Sequence, residues 1–216
     1  MVRAEVGESV SSTNRGAERS PLDFYETPGW ATRAILPHLT LLPSAKRIVD
    51  AGCGSGAILR EVRTWTNKNL VGYKHSAYPS LVGIEVDPTR AQQARREGFF
   101  VQEADFLQTS YPADLIIANP PFSYALEFVS HALTQAREVC MLLRLSWLAS
   151  QSRAAWHRAH PAHVFVLPRR PSFTRNEKTD SADYAWFMWP EAHLSAGQMG
   201  RYKILEVEEH DRRARN

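Results

Sequence analysis

The chain is poor in cysteine, with two among 216 residues, Cys53 and Cys140. That far apart they offer neither a metal-ligand nor a redox spacing. They also argue against a disulfide framework, so a reducing cytoplasm is the expected compartment. The eight histidines fall without ligand spacing, and no metal is expected. No apolar run approaches the roughly 20 residues needed to cross a bilayer, and no signal peptide opens the chain. Charge of either sign is in no large excess. The 26 Lys and Arg against 23 Asp and Glu leave a formal net charge of +3 and a sequence pI of about 9.0. This mild basic bias is compatible with a nucleic-acid partner and too small to argue for one by itself.

Against these absences, 44% hydrophobic and 10% aromatic residues suffice for one domain with its own core. Residues 1–20 are mostly Ser, Glu, Arg and Gly and have almost nothing to bury. A disordered tail is expected there, followed by a single domain over 21–216.

The most distinctive stretch is Asn119-Pro120-Pro121-Phe122, directly after the apolar run Leu115-Ile116-Ile117-Ala118. The prolines fix φ and remove two backbone donors, so a turn at the end of a buried strand becomes rigid and rich in acceptors. The Asn119 side-chain oxygen and the Pro120 carbonyl are then placed to face one point, with Phe122 as a flat wall beside it. Two acceptors and a phenyl face suit a planar substrate bearing an NH2 group. The bland alternative is a rigid loop with a surface aromatic.

In chain order, Thr27 reads as the cap of a helix with Pro28 at its first position, or as a tight turn presenting polar groups to a ligand. Arg47 to Asp50 is an apolar strand ending in acid, followed by Gly52, Gly54 and Gly56 and then a helical run. Glycines so spaced let the backbone pass close under a ligand. Gly52 to Ala57 also fits the dinucleotide fingerprint. Against that, Asp50 would repel a pyrophosphate, and Glu85 lies 29 residues beyond Gly56, further than the roughly 20 expected. Asp50 suits a cationic ligand better. Residues 64–80 read as a surface insertion. Leu81 to Glu85 is a second buried strand ending in acid, suited to the hydroxyls of a ribose. Asp105 with Phe106 follows a third strand and could bracket an adenine ring. A helix over Ala125 to Ala136 and a fifth strand over Val139 to Leu145 come next, then a helix over Ser150 to His160. Two further strands cover His163–Leu167 and Tyr184–Trp189. Between them, Arg169 to Asp183 is a long loop carrying Arg169, Arg170, Phe173, Arg175 and Lys178. It reads either as a substrate-contacting loop, basic groups for phosphates and Phe173 for a base, or as a solvated hairpin tip. The alternation of strands and helices implies an α/β fold with a mostly parallel sheet, and the candidate residues fall at strand carboxyl ends, where such sheets bind ligands.

Asp50-Ala-Gly52-Cys-Gly54-Ser-Gly56, Glu85, Asp105 and Asn119-Pro-Pro-Phe122 together resemble the ordered motifs of class I S-adenosylmethionine-dependent methyltransferases. Within that superfamily the chain is most similar to DNA N6-adenine methyltransferases, and the stretch Arg169 to Trp189 resembles short phage and prophage methyltransferases. The likeness covers most of residues 21–190. It implies a Rossmann-like domain with a mostly parallel seven-stranded sheet flanked by helices and a C-terminal antiparallel hairpin. It also implies S-adenosylmethionine as cofactor and DNA, or alternatively RNA, as the substrate. Thr27-Pro28 would lie against the methionine part of the cofactor, with Asp50 near it and Gly52, Gly54 and Gly56 giving close approach. Glu85 would take the ribose, and Asp105 with Phe106 the adenine. Asn119, Pro120, Pro121 and Phe122 would form the catalytic turn. The chain departs from sequence-specific DNA methyltransferases in having no room for a large target-recognition domain. Similar turns also serve enzymes that methylate guanine amines in ribosomal RNA or glutamine amides in proteins. An inactive cofactor-binding module and, more remotely, a dehydrogenase remain alternatives.

Overall fold

A computed structural model describes residues 26–70, 78–173, 180–191 and 200–207. The expected N-terminal tail, Arg175, Lys178 and the charged residues beyond 207 lie outside the described residues. Five strands follow the alternating pattern: β1 (Arg47–Ala51), β2 (Ser80–Glu85), β3 (Phe100–Glu103), β4 (Ala113–Ala118) and β5 (Ala136–Arg144). Their pairings with one another are all parallel. They are joined by helices α2 (Ala57–Asn69), α3 (Pro88–Arg96) and α4 (Ala125–Gln135), with α1 (Gly29–Ile35) ahead of β1. A short α5 (Ala154–Ala159) precedes β6 (His163–Val166), β7 (Tyr184–Trp189) and β8 (Tyr202–Ile204). The sheet order is β3-β2-β1-β4-β5-β7-β6-β8. Reversal of order on either side of β1 and β4 opens a crevice at the strand carboxyl ends, the place where such sheets hold ligands.

Side-chain parity explains the two covered faces. Leu115 and Ile117 of β4 join Ile48, Ile58, Val62 and Trp186 in a core with α1 and α2. Ile116 and Ala118 go to the other face, with Phe128 and Val129 of α4 and with Phe187 and Trp189. A third cluster packs Ala91 and Ala94 of α3 against Phe99 and Cys53. In β2, Gly83 is required by close approach: a methyl group there would sit 2.5 Å from Cys53 Sγ.

The expected Rossmann-like sheet with a C-terminal antiparallel hairpin is present. It has eight strands where seven were expected. The extra strand, β8, has three residues, all exposed, so no inward alternation marks it. The insertion read over 64–80 is corrected in its first part: α2 runs on to Asn69, because Thr66 is buried and Trp65 packs on the core. The helix expected over 150–160 is confined to Ala154–Ala159. Thr27 is not a helix cap. Helix α1 begins after Pro28 with no side-chain cap, and Ala31 N–H donates to Pro28 O at 2.9 Å.

Candidate active site

A cavity of about 960 Å³ opens at the carboxyl ends of β1 to β5. It gathers Thr27, Asp50, Gly52, Glu85, Asp105 and Phe106 from one set of predicted residues, and Asn119, Pro121 and Phe122 from the other. Pro28, Gly54, Gly56 and Pro120 do not line it.

The glycine turn is built by backbone geometry. Gly52, Gly54 and Gly56 have φ of 80°, 54° and 88°, the left-handed region in which a side chain is strained. The N–H groups of Gly52 and Cys53 donate to Ile84 O, and Gly54 N–H donates to Glu85 Oε2 at 2.8 Å. Glu85 Oε1 accepts from Asp87 N–H at 2.9 Å. Glu85 thus staples the glycine turn to the end of β2 while lining the cavity. Beside it, Asp50 is 1% exposed, and neither carboxylate oxygen has a hydrogen-bond partner among the described residues. Burial first, and the neighbouring Glu85 second, hold its carboxyl well above the usual carboxylate range. A buried acid without a partner carries a desolvation penalty when charged that a cation entering the cavity would offset. Asp105 is exposed and accepts from Leu107 N–H at 2.9 Å. The Phe106 ring packs on Phe128 and His131, centroids 5.2 and 4.9 Å away.

Across the cavity, Asn119 Nδ2 donates to Thr27 Oγ1 at 3.1 Å. Thr27 is 5% exposed, and the bond spans 92 positions of sequence. It turns the amide so that its nitrogen faces Thr27, leaving Oδ1 as the acceptor end. Phe122 is half-buried between Tyr184 (centroids 5.5 Å) and Phe173 (6.3 Å). The Arg144 guanidinium lies over its ring, 4.8 Å from the centroid.

Arg144 also lines the cavity and was missed from sequence. Its signal was the one used for Asp50 and Glu85, a charge closing a buried strand. At the base of the loop between β6 and β7, Asp180 N–H donates to Pro171 O at 3.0 Å. Arg169 lies over Trp30, 4.2 Å from the ring centroid, and Arg170 pairs with Asp183 at 2.8 Å. None of Arg169, Arg170 and Phe173 lines the cavity, and of the three Phe173 abuts Phe122.

Among known families, the sequence profile of the Methyltransferase small domain matches residues 26–140. Among solved structures, the modification subunit of a provisionally identified type I restriction enzyme from Vibrio vulnificus is similar over 87% of this chain and 51% of its own. The TM-score is 0.63 and the identity 13%. A provisionally identified RNA methyltransferase from Pyrococcus horikoshii gives a TM-score of 0.60 at 16% identity, over 77% and 86% of the two chains. A provisionally identified class I S-adenosylmethionine-dependent methyltransferase from Listeria monocytogenes gives 0.59 at 13%, over 82% and 64%. The chain spans about half the length of the Vibrio subunit. At these identities the likeness is one of fold. No curated protein matches the chain.

Proposed function

The chain belongs to the Methyltransferase small domain family, and from that premise we propose that it methylates the exocyclic N6 amine of adenine in DNA. S-adenosylmethionine, the methyl donor of class I methyltransferases, supplies an electrophilic methyl group on a positively charged sulfur. The observation that carries the acceptor assignment is the Asn119 turn: its amide is oriented by Thr27 and shares one cavity with Phe122 and Asp50.

The residues present fit the donor. Asp50 is a buried acid with no hydrogen-bond partner among the described residues and lines the cavity, suited to the cationic methionine end. The glycine turn admits close backbone approach. Glu85 retains lone pairs beyond its two backbone bonds for ribose hydroxyls, since each ionised oxygen accepts more than one hydrogen bond. Asp105, exposed at the rim, is placed to accept from an adenine amine.

On the acceptor side, an exocyclic amine is a weak nucleophile because its lone pair is delocalised into the ring. Asn119 Oδ1 accepts one of its N–H groups, drawing the lone pair back onto nitrogen and aiming it. Phe122 holds the ring. Catalysis is then mostly positioning and local electrostatics. No strong base is called for, because the methylated nitrogen sheds its proton readily. Extruding a duplex base costs a few kcal/mol, and stacking worth about 1–3 kcal/mol per base offsets much of it.

A second reading, the same chemistry on an RNA base, is favoured by the similarity to the Pyrococcus protein. Radiolabelled donor incubated in parallel with DNA, RNA and protein tests both. Label in N6-methyladenine of DNA is expected. Label only in RNA selects the second reading, and label only in protein overturns both.

A further inference from the structure

The acceptor wall holds one residue that this chemistry does not use. Arg144 closes β5, is exposed, and lines the cavity beside Phe122. Its Nε donates to Tyr184 Oη at 3.3 Å, and that hydroxyl donates to Asp180 Oδ2 at 2.6 Å. Strand register creates the arrangement, because β5 and β7 are antiparallel with Arg144 opposite Tyr184. Tyr184 is fully buried, so it fixes the position of the guanidinium at the cavity mouth. Asp180 accepts from the Tyr184 hydroxyl and from Ala182 N–H at 3.1 Å. Against the cost of burial, these bonds and the Arg144 charge hold its carboxyl below the ordinary value, so the cation at the mouth is partly balanced.

A fixed cation is a poor neighbour for the methyl transfer itself. The acceptor nitrogen gains positive charge as it takes the methyl group, and like charge nearby raises that barrier. The donor is cationic as well. The placement becomes useful where the acceptor brings an anion to the rim. A base swung out of its stack does so, because its phosphodiester stays at the mouth while the ring enters the pocket. A glutamine side chain brings none. We infer that Arg144 makes this site select nucleic acid, engaging the backbone phosphate next to the acceptor base while Phe122 takes the ring. The inference rests on the proposed amine-methylating function and names what grips the substrate's backbone. The contact between guanidinium and phenyl ring is weak at an exposed position and yields readily to a phosphate.

The test compares the unsubstituted protein with Arg144→Gln and Arg144→Lys on a single-stranded, adenine-containing oligodeoxynucleotide. KM and kcat are measured between about 50 and 200 mM salt, where phosphate contacts show as a slope. Arg144→Gln is expected to raise KM about tenfold at the low end and to lower the slope of log KM against log salt by about 0.7, the value of one single-strand phosphate contact. Its kcat should change less than about twofold, as expected for a group outside the chemical step. Arg144→Lys should restore the slope and most of KM, because one positive charge suffices. A fall in kcat with KM and slope intact overturns the inference, as does a Gln variant indistinguishable from the parent or a Lys variant no better than Gln. Methylation of the oligonucleotide with an unaltered slope removes the role of Arg144 alone. No methylation of any nucleic acid by the unsubstituted protein removes the proposed function and this inference together.

Discussion

The two walls of the cavity are built by opposite means. The wall from β1 and β2 is made of carboxylates that the fold has taken out of water. Glu85 is occupied by backbone N–H groups and stands 4.0 Å from the Arg90 guanidinium, and Asp50 has no hydrogen-bond partner among the described residues. The wall from β4, β5 and β7 is aromatic and cationic: Arg144 lies over Phe122, and Phe173 packs against Phe122 from behind the lining. On the first side Arg90 stands beside Glu85, and it is Asp50 that a further positive charge would complete. The other offers a positive charge of its own. Under the proposed function the difference gives the site a direction: a cationic donor on one side, an anionic polymer on the other.

Substitutions that erase one wall and spare the other break or sharpen this contrast. The largest effect is expected from Asn119→Ala, which should lower kcat about 100- to 1000-fold, the range for loss of one preorganised hydrogen-bonding group at a reacting centre. Donor affinity by calorimetry should stay within about twofold of the parent, since the lost group faces the acceptor. Equal loss of both would mean the walls are not separable.

Asp50→Asn should do the reverse, weakening donor binding by about 10- to 100-fold, as expected for a charge-assisted contact. It should also stabilise the ligand-free protein. An acid whose folded pKa is raised binds its proton more tightly folded than unfolded. Stability is therefore lost as pH climbs from about 3.8, the ordinary value, through the raised folded value. The melting temperature of Asp50→Asn should match the parent near pH 4 and exceed it increasingly toward neutrality. A constant difference across that range would show that the Asp50 proton is not linked to folding.

Phe122→Ala should raise KM for an oligonucleotide about tenfold, the lower part of the stacking range, with donor affinity again preserved. The smallest effect is expected from Thr27→Val, which keeps the shape and removes the acceptor for Asn119 Nδ2. It should lower kcat about fivefold, the equivalent of about 1 kcal/mol for one hydrogen bond. Thr27→Ser should recover it. A Thr27→Val variant that loses donor affinity instead would return Thr27 to the donor wall, where the sequence reading had put it.

The donor wall was the more legible in sequence. Val49-Asp50, Ile84-Glu85 and the glycine turn are short-range signals: an apolar run, an acid, residues that tolerate positive φ. The acceptor wall was legible only in its Asn-Pro-Pro-Phe core. The bond from Asn119 to Thr27 spans 92 positions, and the one from Arg144 to Tyr184 spans 40, so neither leaves a local trace. Strand β8 escaped because its residues are all exposed, and the end of α2 because its polar outer side masks the buried Thr66.

The insertion of β7 between β5 and β6 has a consequence for how the molecule is made. As the chain leaves the ribosome, the glycine turn, the two buried acids of the cavity and the Asn119 turn are all synthesised before residue 125. Tyr184, which fixes Arg144 and flanks Phe122, comes from a strand emerging some 60 residues later, and that strand must wedge between two already made. A nascent chain halted before Tyr184 would carry the residues for the donor half but leave the edge of β5 uncovered, so competence to hold donor should precede competence to grip substrate during biosynthesis.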